Sequence, residues 1–157
     1  MQVTDKRDWG FLISATVLWA VAMVVTLRDC WRKRRLASPA LRRGALAAMV
    51  GGVGLRLRAR YILGRQFSYA LRTLPDHQLM TRDIYSVVRH PAYTGDLMFH
   101  FGVTVFFGSV RGLLIMLLLI PCFIYRMNVE ENMLLRRFGK HYQAYQQRTR
   151  KLLPGVY

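Results

Sequence analysis

Between Leu97 and Tyr125 the chain reads LMFHFGVTVFFGSVRGLLIMLLLIPCFIY. Apart from His100, Arg111 and a few small polar residues it is apolar, and Gly108-Ser109-Val110-Arg111-Gly112 divides it in two. Each half is at the short end for a helix crossing about 30 Å of hydrocarbon at about 1.5 Å per residue. Two such helices joined by a tight turn make a hairpin, with arms over 94–109 and 112–129 and with Arg111 at the tip reaching for headgroups. A hairpin returns the chain to the side it left. Arg89–Tyr93 and Arg126–Glu131 are therefore expected together on one face of a membrane.

Upstream, Gly10–Leu27 runs eighteen residues without a charge, long enough to span. Lys6 and Arg7 before it and Ala20-Val21-Ala22 within it resemble a signal peptide, but the apolar run exceeds the usual ~7–15 residues, and a retained helix over 9–27 is expected. Arg28–Arg43 is a basic connection that reads as an anchor facing anionic lipid. Pro39 suits the start of a second helix over 40–60, where a missing N–H costs little. Within it Gly44, Ala48 and Gly52 recur four apart, as do Ala47 and Gly51, a spacing that lets helix backbones approach in a membrane. Gly51-Gly52-Val53-Gly54 follows no strand and lacks phosphate-loop spacing, which excludes a nucleotide fold.

Downstream, Leu134, Phe138, Tyr142 and Tyr145 share one face and Arg136, Arg137 and Lys140 the other, so an amphipathic helix over 130–150 is expected, weakened at Gly139. The reading is one all-α domain over 1–157, a multi-pass membrane bundle of about four helices with a C-terminal amphipathic helix. Basic residues fall in Arg28–Arg43, in Arg56–Arg89 and after Arg126. If the second helix spans fully, two basic regions lie on opposite sides. If it only dips, three spans remain.

Composition supports a membrane class. The 157 residues are 53% hydrophobic yet carry a net charge of +16, with a mean hydropathy of +0.15. On a soluble protein that charge would suggest nucleic acid. Here the bases flank apolar runs, as in membrane proteins, and no nucleic-acid motif is present. Two cysteines make no disulfide framework. His77, His90, His100 and His141 lack close ligand spacing, so no metal site is expected.

The polar ends of the hairpin carry the chemistry. Arg89 and His90 precede Pro91, which disfavours helix just before it and frees backbone groups for a ligand. Tyr93 follows, and Gly95 permits close backbone approach. Arg126 and Glu130 share a helix face, with Glu131 about a quarter-turn away. Either motif alone has an ordinary explanation: an interfacial cap, or an acidic first turn stabilised by the helix dipole. Ionisable groups at both feet of one hairpin, at the edge of a bilayer core, point to a site.

R-H-P-A-Y-T-G at Arg89–Gly95, a membrane hairpin, and E-E-N-M-L-L-R-R-F-G-K-H-Y-Q-A-Y from Glu130 together resemble the isoprenylcysteine carboxyl methyltransferases and related phospholipid methyltransferases. L-G-R-Q-F-S at Leu63–Ser68, H-Q-L at His77–Leu79, and Tyr85 agree with that pattern over roughly Leu63 to Pro154, while Asp83 stands where the family usually has glycine. The resemblance implies an integral membrane enzyme using S-adenosyl-L-methionine and no metal, acting on a lipid-like carboxylate, amine, phenol or enol. His77, Leu79, Tyr85, His90, Pro91 and Tyr93, with Gly95 beside them, would line the cofactor pocket. Glu130 would hold the methionine amino group. Arg89 and Arg126 would orient an anionic substrate or the cofactor carboxylate, and Glu131 would position or deprotonate the acceptor. The cofactor would enter from the basic, water-facing side, which would be the cytoplasmic one, and the membrane would be the cell inner membrane if the source is bacterial. The rival readings are a non-catalytic membrane protein whose motifs only cap helices, and a transporter, which would place polar residues along the helix middles.

Overall fold

The computed structural model describes residues 6–33, 37–66 and 78–153. These residues form α1 (Lys6–Lys33), α2 (Pro39–Leu63), α3 (Pro91–Phe106), α4 (Val110–Leu117), α5 (Leu119–Phe138) and α6 (Lys140–Arg148), with 3-10 turns at Gly64–Gln66 and Asp83–Ser86. Among the described residues the only β-type pairing is one parallel bridge, Val88 to Arg150.

Local chemistry sets the helix ends. Ser38 caps α2 by accepting from the Leu41 N–H at 3.4 Å, and Pro39 opens its first turn. Pro91 does the same for α3. Ser109 caps α4 by accepting from the Gly112 N–H at 3.0 Å. Pro121 has no N–H to offer the carbonyl one turn back, which accounts for the interruption at Leu118 between α4 and α5.

Among the described residues two stretches, Ile13–Arg32 and Val110–Phe138, are by length and composition long and apolar enough to cross a membrane. α2 is 25 residues long but carries Arg42, Arg43, Arg56, Arg58 and Arg60, and α3 has 16 residues.

α2 and α3 run antiparallel against each other. Small residues at a helix contact let the two backbones approach closely. The seam is made by Ala45, Gly52 and Ala59 on α2, seven residues apart, and by Gly95 and Gly102 on α3, also seven apart. A Cβ on Gly52 would lie 2.5 Å from the Gly95 carbonyl oxygen, and one on Gly102 3.0 Å from that of Ala45. The small-residue stripe expected at Gly44, Ala48 and Gly52 is thus displaced by one residue except at Gly52. Gly44 has open space where its Cβ would be. A seven-residue repeat keeps one seam in register along two supercoiled helices, which a four-residue repeat does not.

At the end of the bundle farthest from Pro91, α1 meets the α3–α4 turn. Asp29 is buried and accepts from Ser109 Oγ at 2.9 Å, while Thr26 packs so closely on Gly112 that no Cβ would fit. Arg42 lies over the Phe106 ring at 5.1 Å at the same end. The core lies between α1, α4 and α5, around Ala22, Met116, Leu119, Phe123 and Met127, and is closed by Leu152.

One boundary differs from the sequence expectation. The 130–150 helix is two helices, and Glu130 and Glu131 sit inside α5 rather than in the first turn of a new element. The break comes at Gly139, whose φ of 50° ends α5 with its N–H bonded to the Leu135 carbonyl at 2.8 Å. The helix dipole therefore offers these two carboxylates nothing, and side chains must hold them.

Candidate active site

Arg89, His90 and Tyr93 at the start of α3 meet Arg126, Glu130 and Glu131 on α5. The Arg89 Nε–H donates to Glu131 Oε1 at 2.7 Å. His90 Nε2 lies 3.3 Å from the same oxygen, and its Nδ1 is 3.8 Å from Glu130 Oε2. The Tyr93 hydroxyl donates to Glu130 Oε2 at 3.1 Å and accepts from Arg126 Nε at 2.9 Å. Tyr93 also meets His90 and Phe123 ring to ring, each with centroids 5.6 Å apart. The two carboxylates differ in exposure: 35% of the Glu130 side chain is exposed, against 10% for Glu131.

Glu131 is enclosed by donors. Its second oxygen takes Gln146 Nε2 at 3.3 Å and lies 3.3 Å from Lys151 Nζ, which also donates to Asn128. Arg89 is equally committed. Its Nη1 donates to the carbonyls of Gln146 and Thr149 as well as bonding the Thr149 hydroxyl. Arg89, expected to orient an anionic ligand, thus holds Glu131 and the C-terminal segment through Nε and Nη1.

That segment clasps the site. The Arg89 N–H donates to the Arg150 carbonyl at 2.8 Å, the His90 N–H to the Lys151 carbonyl at 3.1 Å, and the Arg150 N–H to the Val87 carbonyl at 3.0 Å. Thr94 Oγ1 donates to the Leu152 carbonyl at 2.8 Å. From α6 the Tyr145 hydroxyl donates to the Tyr85 carbonyl at 2.7 Å. Burial pushes the phenols of Tyr85 and Tyr142 well above their ordinary range and that of Tyr145 to about 12, so all three stay neutral. The Tyr142 hydroxyl is buried with no partner among the described residues.

The other expected ligand residues are placed differently. Tyr85 is buried, and its hydroxyl reaches the Ala59 carbonyl at 3.5 Å. Pro91 is buried at the first position of α3, and Leu79 is half-buried. Gly95, expected beside the cofactor, is buried in the α2 seam, so its glycine is required by helix contact. His77 lies outside the described residues. Asp83 takes a φ of 57°, the left-handed region that explains why glycine suits this position. Its carboxylate accepts from the Ile84 N–H at 2.7 Å and pairs with Arg58, and that pairing holds it below the usual carboxylate range.

Gln146, Thr149 and Lys151 were not legible as site residues. The only signal was a threonine inside a basic run, Arg148-Thr149-Arg150-Lys151, which reads as an interfacial tail. Among the described residues no group of histidine, cysteine or acidic side chains could hold a metal ion.

Residues 41–141 match the profile of the phospholipid methyltransferases. The chain is 34% identical over 115 residues to protein-S-isoprenylcysteine O-methyltransferase of Schizosaccharomyces pombe, covering 71% of this chain and 49% of that one. It is 29% identical over 114 residues to protein-S-isoprenylcysteine O-methyltransferase B of Arabidopsis thaliana, covering 71% and 58% respectively. It thus spans about half the length of the curated relatives it matches. The structure superimposes on that of a eukaryotic intramembrane Ras methyltransferase, an isoprenylcysteine carboxyl methyltransferase, with a TM-score of 0.75 at 25% identity, covering 90% of this chain and 52% of the other.

Proposed function

This chain belongs to the phospholipid methyltransferase family, and on that premise we propose that it transfers a methyl group from S-adenosylmethionine to a lipophilic acceptor at a membrane surface. The observation that carries the proposal is the Arg126–Tyr93–Glu130 relay, a cation and a half-exposed carboxylate bridged by one phenol at the foot of the hairpin.

The donor set suits the methionine part of such a cofactor, which presents an ammonium and a carboxylate. Glu130 is the group for the ammonium. Arg126 supplies the positive field for the carboxylate, and Tyr93 fixes the separation between the two. Bound there, S-adenosylmethionine would supply an electrophilic methyl group needing no metal. What the chain supplies is position. His90 is wedged between Glu130 and Glu131, and Glu131 anchors Arg89, His90 and the clasp. Four donors on one carboxylate make Glu131 a poor proton acceptor, so its role is positioning, and proton removal falls to water or to the acceptor's own ionisation. Apolar helices on both sides of the site exclude water from the acceptor and hold its tail, and this raises its reactivity.

In this reading α1, α2, α3 and α4–α5 are four membrane passes and α6 lies at the interface. The clasp face, which carries most of the arginines and lysines, is cytoplasmic. The acceptor is a lipid-like carboxylate, amine, phenol or enol, and the named relatives keep S-isoprenylcysteine among the candidates.

The test is calorimetric binding of S-adenosylhomocysteine to the purified protein in detergent. Binding is expected, and Glu130→Gln should weaken it at least tenfold. Labelled methyl groups from S-adenosylmethionine should then appear in the lipid fraction of a membrane extract. A folded protein that does not bind S-adenosylhomocysteine overturns the proposal.

A further inference from the structure

Tyr93 and His100 are seven residues apart on α3 and therefore share a face of it, about 10 Å apart along the axis. Leu97 lies between them on that face, packed on the core. α1 packs along α4 and α5. It reaches this face of α3 through Trp19, whose indole N–H donates to His100 Nδ1 at 2.8 Å. An indole nitrogen can only donate. His100 Nδ1 is therefore the unprotonated nitrogen, the ring is neutral, and its one N–H is on Nε2. Among the described residues no acceptor meets that N–H: the Trp19 and Phe99 rings lie edge-on to the imidazole at 5.8 and 5.5 Å, and the nearby Arg56 guanidinium can only donate. Beside it, one turn nearer the site, Asp96 pairs with Arg56 of α2, with 20% and 29% of the two side chains exposed.

The Arg56–Asp96 pair has a sufficient structural role, tying α2 to α3. His100 does not. Trp19 needs an acceptor, which many side chains could provide, whereas the second nitrogen leaves a donor open at a depth where hydrocarbon offers it no partner. Donors of that kind are costly in a membrane and mark places where a ligand or substrate brings the acceptor.

We propose that the His100 Nε2–H is a binding group for the lipid being methylated. It would donate to an oxygen carried by that lipid about two helical turns, roughly 10 Å, from the reacting end. The inference rests on the methyl-transfer reading and deepens it. It selects a substrate class, a lipid with a carbonyl, hydroxyl or ether oxygen part-way along its length, over one with an unbroken hydrocarbon tail.

The test uses the full chain in nanodiscs with Trp9→Phe and Trp31→Phe, so that Trp19 is the sole tryptophan. The probes are stearic acid and its mid-chain keto derivative, which differ in one carbonyl oxygen. The keto acid should bind about five- to tenfold more tightly, the ratio one neutral hydrogen bond supports, and should shift Trp19 emission, because the indole shares the imidazole. His100→Phe should erase the preference, while His100→Gln, which keeps both an acceptor for Trp19 and a free N–H, should retain it. Equal binding of the two probes to the unsubstituted His100 protein, or a preference that survives in His100→Phe, overturns the proposal. S-adenosylhomocysteine binding, measured on the same samples, should be unaffected by His100→Phe. Its absence from the parent protein would instead overturn the methyltransferase reading, so the two failures are separable.

Discussion

Replacing Glu131 by alanine separates a positioning carboxylate from a catalytic base. Glu131 faces Arg89, His90, Gln146 and Lys151, and the Arg89 and Glu131 side chains are only 11% and 10% exposed. Removing one partner of so enclosed a pair leaves a buried cation uncompensated, at a typical cost of about 3–5 kcal/mol. Arg89 retains the Gln146 and Thr149 carbonyls, which places the expected loss at the lower end, about 3 kcal/mol. For a chain of this size that corresponds to a fall of roughly 6–12 °C in Tm. The assay is thermal unfolding in detergent, paired with limited proteolysis near Thr149–Leu152, which should become cleavable as the clasp loosens. Arg89→Ala should cost a similar amount, and the double variant should be less destabilised than the sum of the two singles. Glu130→Gln, at a half-exposed carboxylate with one tyrosine donor, should leave Tm nearly unchanged while weakening S-adenosylhomocysteine binding. A Glu131→Ala protein with parental Tm and an intact clasp but no turnover would refute the positioning role and restore Glu131 as the base.

Three further outcomes are expected. Gly95→Ala puts a methyl group into the Gly52 backbone and should cost at least about 1–3 kcal/mol, read as a lower Tm, with Gly52→Ala behaving alike and Gly44→Ala near neutral. Asp83→Gly should keep Tm near the parental value, exchanging the Arg58 pair for a relaxed backbone, whereas Asp83→Ala should lower it, losing the pair and keeping the strain. The buried Tyr145 phenol, raised to about 12 from an ordinary value near 10, contributes stability that is fully present below about pH 10. It is lost as pH rises from there to about 12. Chemical unfolding followed across that range, with tyrosinate absorbance as the second readout, checks this, and Tyr145→Phe should remove part of the slope.

How far the sequence discloses this molecule depends on whether a signal is local. Ser38-Pro39 and Ser109 cap helices through their own neighbours, and the interruption at Gly108–Ser109 follows from residues adjacent in the chain. Hydropathy and one turn are enough to bring Arg89–Tyr93 to Arg126–Glu131. What escaped depends on distant partners. Gly95 reads as a glycine that lets backbone approach a ligand until Gly52 is known to face it. Arg89 reads as an anion-binding cation until Glu131 and two carbonyls from Gln146 and Thr149 are seen to occupy it. Gly139 looked like a weak point in one helix because nothing in its sequence neighbourhood reveals a left-handed backbone. Glu130 and Glu131 look equivalent in sequence, and only their surroundings separate an open carboxylate from an enclosed one.

The clasp has a consequence for how the molecule is made. Arg89 and His90 are completed by backbone from Arg150 and Lys151, about sixty residues later in the chain. During synthesis both arms of the hairpin are made before the last of those partners. Until then the Arg89 guanidinium and Glu131 lack most of their neighbours, and the site does not exist as a binding surface. A nascent chain would be inserted but inert. Competence would arrive in a single late event, when the end of the described chain docks on the start of α3.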